Sequence, residues 1–330
     1  MIEVKDLVKK YGDHVAVDHL SFTIEKGKIY GFLGPNGAGK STTMNMITGY
    51  IASTQGEILI DGHNILEEPE AAKKCIGYLP ELPPVYQDMT VREYLKFVAE
   101  LKSIPKAERE KNIKEVMSTT KLEEVQERLI KNLSKGFKQR VGIAQALLGY
   151  PEIIILDEPT SQLDPVAASE FLNTLRRINQ ELGTTIVITE HRLEEVFPMA
   201  DQVLLMEDGR LLFQGTPQET VRFVAGAQKE ELRELLPAPV RICMQVQPDC
   251  AAIPLTVREG RLWLTETVKE PQIRHLERPK AETPVQDTAI CMEEVWFRYT
   301  RQGEDVLRGL TLNVKKGQIY ALMGGNGAGK

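Results

Sequence analysis

Eight residues, Gly34-Pro35-Asn36-Gly37-Ala38-Gly39-Lys40-Ser41, have the types and spacing to hold a row of phosphates. Glycines let the backbone curl until successive N–H groups point at one anion. Lys40 adds a positive charge, and the Ser41 hydroxyl is a hard oxygen of the kind Mg²⁺ takes. A helix beginning near Ser41, with Thr42 in its first turn, would aim its positive end at the same phosphates. A chance glycine-rich turn is the bland alternative. The flanks argue against it. Lys28-Ile29-Tyr30-Gly31-Phe32-Leu33 reads as a strand feeding the loop, and Thr42 to Tyr50 reads as the helix leaving it.

Three further groups could complete a phosphate-transfer site. Asp157 and Glu158 follow the apolar run Ile153-Ile154-Ile155-Leu156. A carboxylate at a strand's C-terminal end can hold Mg²⁺, directly or through water, and its neighbour can polarise an attacking water. An acidic strand end that merely caps a helix is the alternative. Leu133-Ser134-Lys135-Gly136-Phe137 opens a helix, with Ser134 as a good N-cap. Taken alone it is an ordinary cap, although a helix N-terminus with Gly136 could also receive a phosphate. His191 follows the strand-like Thr185-Ile186-Val187-Ile188-Thr189; a lone histidine is more often structural than catalytic.

The elements that must position these groups alternate strand and helix over residues 1–225. Ile2 to Val8 and Ser21 to Ile24 read as strands on either side of Gly12-Asp13, and Glu57 to Asp61 as another. Thr90-Val91-Arg92-Glu93 is a capping box that opens a helix through Leu101. Charged, helix-prone sequence then runs to about Lys131, so residues 88–150 read as an inserted helical subdomain. Pro165 to Leu182 is a helix with Leu172, Leu175, Ile178 and Leu182 on one face. Val203 to Met206 and Arg210 to Phe213 make a hairpin across Asp208-Gly209. Residues 226–290 are proline-rich and read as a linker, with a small hairpin of Leu255-Thr256-Val257 and Arg261 to Leu264 about Glu259-Gly260.

From Cys291 the opening segment repeats. Val295-Trp296-Phe297-Arg298-Tyr299 takes the place of Leu7-Val8-Lys9-Lys10-Tyr11. Gly324-Gly325-Asn326-Gly327-Ala328-Gly329-Lys330 then repeats the phosphate loop up to its lysine. A repeat of this length is duplication. Residues 291–330 therefore read as the start of a second, truncated nucleotide-binding unit, and Lys330 is not expected to be the natural C-terminus.

Length and composition bound the rest. The 330 residues suffice for one or two domains. A formal charge of −6, with both signs interspersed, leaves no nucleic-acid footprint. Apolar runs such as Ile153 to Leu156 are far too short to cross a bilayer, and Met1-Ile2-Glu3-Val4 leads straight into folded-looking sequence. Cys75, Cys243, Cys250 and Cys291 lack metal-ligand spacing and read as free cytosolic thiols. A soluble cytoplasmic protein is expected, with another chain doing any membrane spanning.

The order of motifs, phosphate loop, LSKGF, IIILDEP and then His191, resembles the ATP-binding cassette (ABC) ATPase family, fully over residues 1–225 and again over 291–330. The resemblance implies an α/β fold: a P-loop NTPase (RecA-like) core with an antiparallel β subdomain and the inserted helical subdomain. It implies an ATP-binding, ATP-hydrolysing subunit with ATP and Mg²⁺ as cofactors, at the cytoplasmic face of the cell membrane. Its partners would be transmembrane permease subunits and a second ABC ATPase domain, in a longer chain or a homodimer. Catalysis would fall to Glu158, His191 and Lys40, and metal binding to Ser41, Asp157 and Glu81. Tyr11 would stack on adenine, and Ser134 with Gly136 would complete the ATP site of a facing copy. Asp164 would couple the two sites. Tyr299, Gly324, Asn326, Gly327, Gly329 and Lys330 would repeat these contacts in the second copy.

Three positions depart from the commonest family pattern. Glu81 stands where glutamine is usual, Lys135 and Phe137 replace residues of LSGGQ, and Gln162 replaces a small residue. The resemblance also divides. Residues 1–160 resemble export-type and gliding-motility-type cassettes, and residues 161–330 resemble tandem energy-coupling-factor importers. That division raises the expectation of a chimera joined at Asp157-Glu158-Pro159-Thr160. Two other functions stay open: a soluble tandem-cassette factor acting on the ribosome, and a fragment that binds ATP without turnover.

Overall fold

The computed structural model describes residues 1–190, 193–227, 229–248, 250, 252–267 and 287–324. These fall into two units, residues 1–163 with the described residues of 167–267, and residues 164–166 with 287–324.

In the first unit the strands are β1 (Ile2–Tyr11), β2 (His14–Ile24), β3 (Ile29–Leu33), β4 (Gln55–Ile60), β5 (His63–Asn64), β6 (Ile76–Leu79), β7 (Ile153–Asp157), β8 (Thr185–Thr189), β9 (Gln202–Glu207) and β10 (Arg210–Gly215). An antiparallel sheet has the order β2-β1-β4-β5. A six-stranded sheet has the order β10-β9-β3-β8-β7-β6 and is parallel from β9 to β6. Strands β3, β7 and β8 are buried along their whole length, as runs without polar alternation require. Alternate side chains serve opposite faces. Ile153 and Ile155 pack with Phe32, Leu20 and Met44 under the antiparallel sheet. Ile154 and Leu156 pack with Leu95, Val116, Leu147 and Phe171 under the helices.

Helices Val91–Leu101, Lys106–Thr120 and Lys135–Leu147 pack on one another beside this sheet. The first opens on the expected capping box: Thr90 N donates to Glu93 Oε2 at 2.8 Å, and Glu93 N donates to Thr90 Oγ1 at 3.2 Å. Lys102 caps its C-terminus, and Lys102 Nζ donates to the Ala146 and Leu148 carbonyls at 3.0 and 2.8 Å. Burial pushes the Lys102 ammonium down from 10.5 to about 8. The unfolded chain then holds a proton that the folded chain releases between those pH values, so stability rises as pH rises through this window. From pH 8 to pH 10 the gain is at most about 2 kcal/mol, because the two carbonyls favour the charged form. Urea unfolding at both pH values checks it: Lys102→Met is expected to lose most of this rise.

Residues after 215 differ from the sequence reading. Thr216 and Glu219 form a second capping box that opens the helix Pro217–Gly226. The stretch read as linker forms helices Glu230–Glu234 and Ala238–Val246. Leu232 and Val240 of these helices, with Leu236 between them and Leu255, share a core with Leu33, Phe197, Val203 and Leu205. The hairpin expected at Leu255 to Leu264 is instead a helix, Val257–Thr267. Its cause is local. Glu259 N donates to Thr256 Oγ1 at 3.1 Å, and Glu259 Oε2 accepts from the Leu255 and Thr256 amides. Thr256-x-x-Glu259 is a helix start, so Glu259-Gly260 is not a turn.

In the second unit β11 (Thr288–Phe297) pairs antiparallel with β12 (Leu307–Lys315). This hairpin copies β1–β2 in detail. Asp6 has φ +48° and donates its amide to Ser21 Oγ at 2.9 Å; Glu294 has φ +48° and donates to Thr311 Oγ1 at 3.1 Å. The four cysteines are unbridged. No helix among the described residues is long and apolar enough to cross a membrane.

Candidate nucleotide site

The loop between β3 and the helix Lys40–Ile47 lines a cavity of about 300 Å³, together with Tyr11, His14, Ala16 and Glu158. Gly39 supplies the turn into the helix with φ +91°. A Cβ there would lie 2.5 Å from the Ala16 carbonyl oxygen, inside contact distance. Gly37 has φ +85° but nothing within 4 Å of a Cβ. Gly39→Ala is therefore expected to cost about 2–4 kcal/mol, and Gly37→Ala only the backbone share of about 1–2 kcal/mol. Chemical unfolding midpoints of the two variants check the difference.

Lys40 is only 5% exposed, and its Nζ donates to the Gly34 and Pro35 carbonyls at 2.7 and 3.0 Å. Burial pulls its pKa below the ordinary lysine value, against the Glu158 and Asp157 carboxylates, which push it up. Asp157 Oδ1 accepts two hydroxyls, from Ser41 at 3.1 Å and from Thr189 at 2.7 Å. Parallel pairing of β7 with β8 sets Asp157 opposite Thr189. Glu158 N donates to Thr189 O at 3.1 Å and to Thr189 Oγ1 at 2.9 Å, and Glu158 has φ +46°. Thr160 N donates to the buried Glu190 carboxylate at 2.7 Å.

Tyr11 ends β1 and faces His14 across the turn. Its ring is half exposed, with Lys9 Nζ 5.1 Å from the centroid. The sequence places Tyr11 in the site but not His14 or Thr189. His14 was hidden because the strands were read as ending at Val8 and starting at Ser21, whereas the hairpin runs to its two-residue tip.

Other expected residues lie elsewhere. Ser134 caps the helix Lys135–Leu147 by accepting from Phe137 N at 3.4 Å; neither it nor Gly136 lines the cavity. Glu81 is exposed, accepts from Ser161 Oγ at 3.2 Å and does not line the cavity either. Two of the unusual residues meet: Lys135 Nζ donates to Gln162 Oε1 at 3.2 Å. Asp164 Oδ1 accepts from Val166 N at 3.1 Å, in the first turn of the helix Pro165–Leu182. Tyr299 is exposed and Gly324 follows the second hairpin. His191, Asn326, Gly327, Gly329 and Lys330 lie outside the described residues.

The donor set fits Mg²⁺. Ser41 and Asp157 supply hard oxygens 3.1 Å apart beside a phosphate-sized cavity. Among the described residues no three His, Cys, Asp or Glu side chains gather as a metal cage. The ion would take its remaining ligands from phosphate and water, as Mg²⁺ with nucleotides does.

A family model described as "ABC transporter" matches residues 17–161. A putative ABC transporter ATP-binding protein of Bacillus anthracis is 33% identical over 99% of this chain. That one relative covers both portions that resemble different kinds of cassette. This chain spans 60% of that relative's length. The bacitracin transport ATP-binding protein BcrA of Bacillus licheniformis is 41% identical over 64% of this chain and 68% of its own. Among solved structures, a dimeric ATP-binding cassette in a post-hydrolysis state, bound to ADP and Pi, has a TM-score of 0.59 at 26% identity. That likeness covers 66% of this chain and 99% of the cassette. With the phosphate loop, the acidic strand end and the two sheets all in place, the chain belongs to the ABC transporter ATP-binding protein family.

Proposed function

We propose that the chain binds and hydrolyses ATP and powers transport through a separate membrane protein. The observation that carries this reading is the meeting of Lys40, Ser41 and Glu158 on one cavity, with Asp157 held against Ser41. Phosphoryl transfer needs little covalent help from a protein; it needs positioning and charge. Loop amides and Lys40 would hold the β- and γ-phosphates. Ser41 and Asp157 would hold Mg²⁺, which neutralises phosphate charge, and Glu81 is a further candidate ligand. Glu158 would polarise the attacking water. Tyr11 would stack on adenine and His191 would contact the γ-phosphate.

Ser134 and Gly136 cap a helix away from this cavity. The reading assigns them to the nucleotide of a facing cassette, with Asp164 coupling the two sites. A dimeric relative carrying ADP and Pi supports that arrangement. Tyr299, Gly324, Asn326, Gly327, Gly329 and Lys330 would serve the nucleotide of the second copy. A relative named for bacitracin transport supports a permease partner and a place at the cytoplasmic face of the membrane. Phosphate release by the chain and by Glu158→Gln tests the reading; equal rates would leave a nucleotide binder without turnover.

A further inference from the structure

We propose that Thr189 is a positioning residue, whose single hydroxyl fixes both the metal-site carboxylate and the water-activating glutamate. The proposal deepens the ATPase reading above and rests on it.

Strand β8 reads Thr185-Ile186-Val187-Ile188-Thr189 and is buried throughout. Valine would continue the apolar run at Thr189 with the same shape, so packing alone does not call for a hydroxyl there. The hydroxyl both donates and accepts. It has one proton, and an ionised carboxylate only accepts, so the proton goes to Asp157 Oδ1 at 2.7 Å. A lone pair then takes Glu158 N–H at 2.9 Å. Ser41 donates to the same Asp157 oxygen at 3.1 Å. Two hydroxyls on one oxygen fix the carboxylate's rotation, which settles where its other oxygen points.

The second contact acts on Glu158. Its φ of +46° lies in the left-handed region that residues with a Cβ avoid. The Thr189 carbonyl also takes the Glu158 amide, at 3.1 Å. The hydroxyl shares that amide, and so ties the unusual backbone of Glu158 to the carboxylate of Asp157. Removing it would loosen both groups while leaving the phosphate loop intact.

The test uses the full chain with Thr189→Val, which keeps the shape, and Thr189→Ser, which keeps the hydroxyl. Binding of a fluorescent methylanthraniloyl-ATP is titrated with EDTA and across Mg²⁺ concentrations. Phosphate release and the thermal midpoint are measured alongside. Thr189→Val is expected to bind the probe in EDTA as the parent does. It should need about tenfold more Mg²⁺ to tighten binding, and lose at least about tenfold in kcat with little change in KM for ATP. Thr189→Ser should recover most of both. The proposal is overturned if Thr189→Val matches the parent in Mg²⁺ dependence and turnover, or if serine is as damaging as valine. A fall in thermal midpoint with a parallel loss of metal-free binding would also overturn it, by showing a packing role. If parent and Glu158→Gln release phosphate equally, the ATPase reading fails, and the Mg²⁺ titration of binding still decides the role of Thr189. Should the parent's binding ignore Mg²⁺ while Glu158→Gln still lowers phosphate release, the ATPase reading stands and the role given to Thr189 fails.

Discussion

Lys40→Ala is expected to reduce ATP hydrolysis by about 10²–10³-fold, the usual loss when a preorganised charge donor is removed from a transition state. Lys40 is nearly buried, and its ammonium is parked on the Gly34 and Pro35 carbonyls. Those two bonds keep a desolvated charge in place at the mouth of the loop. Alanine removes the charge and leaves both carbonyls short of a donor, so nucleotide affinity should fall along with turnover. Phosphate release and probe binding measured together check it. A variant that hydrolyses ATP at the parent rate would mean that the cavity beside Lys40 is not where the phosphates sit.

Glu158→Gln is expected to separate the two quantities. Glu158 lines the cavity, which puts it where a water could approach a terminal phosphate. Glutamine keeps the size and loses the basic oxygen. Turnover should fall by about 10²–10⁴-fold, the range for loss of a general base. Binding of Mg-ATP should hold or tighten, because a negative charge near the phosphates is gone. Loss of binding equal to that of Lys40→Ala would contradict the role given to Glu158.

Much of this was legible in the sequence, for physical reasons. A loop that must curl its amides round an anion has few solutions, so Gly34 to Ser41 declared themselves. Ile153 to Leu156 and Thr185 to Thr189 were legible because only a strand covered on both faces can be apolar at every position. The repeat of the opening segment was legible too, whereas the matching bulges at Asp6 and Glu294 show only in the strand pairing. Other parts were not. Residues 230–267 were misread because prolines suggested a linker. Here Pro239 occupies a first-turn position that tolerates a missing N–H, and Thr256-x-x-Glu259 signalled a helix. Thr189 gave no signal of its role, since a hydroxyl's partners depend on which strand lies alongside. Only the parallel register that sets it opposite Asp157 makes it part of the site.

That register has a consequence during synthesis. Strand β3 sits between β8 and β9, with Ile29 opposite Ile186 and Tyr30 opposite Gln202. The hairpin of β1 and β2 closes across two residues and can form in roughly 1–10 μs. The neighbours of β3 emerge from the ribosome much later, after roughly 8–30 s at ~5–20 residues per second. Until then Ile29–Leu33 is an apolar segment with both edges bare, the kind of surface that folding helpers shield.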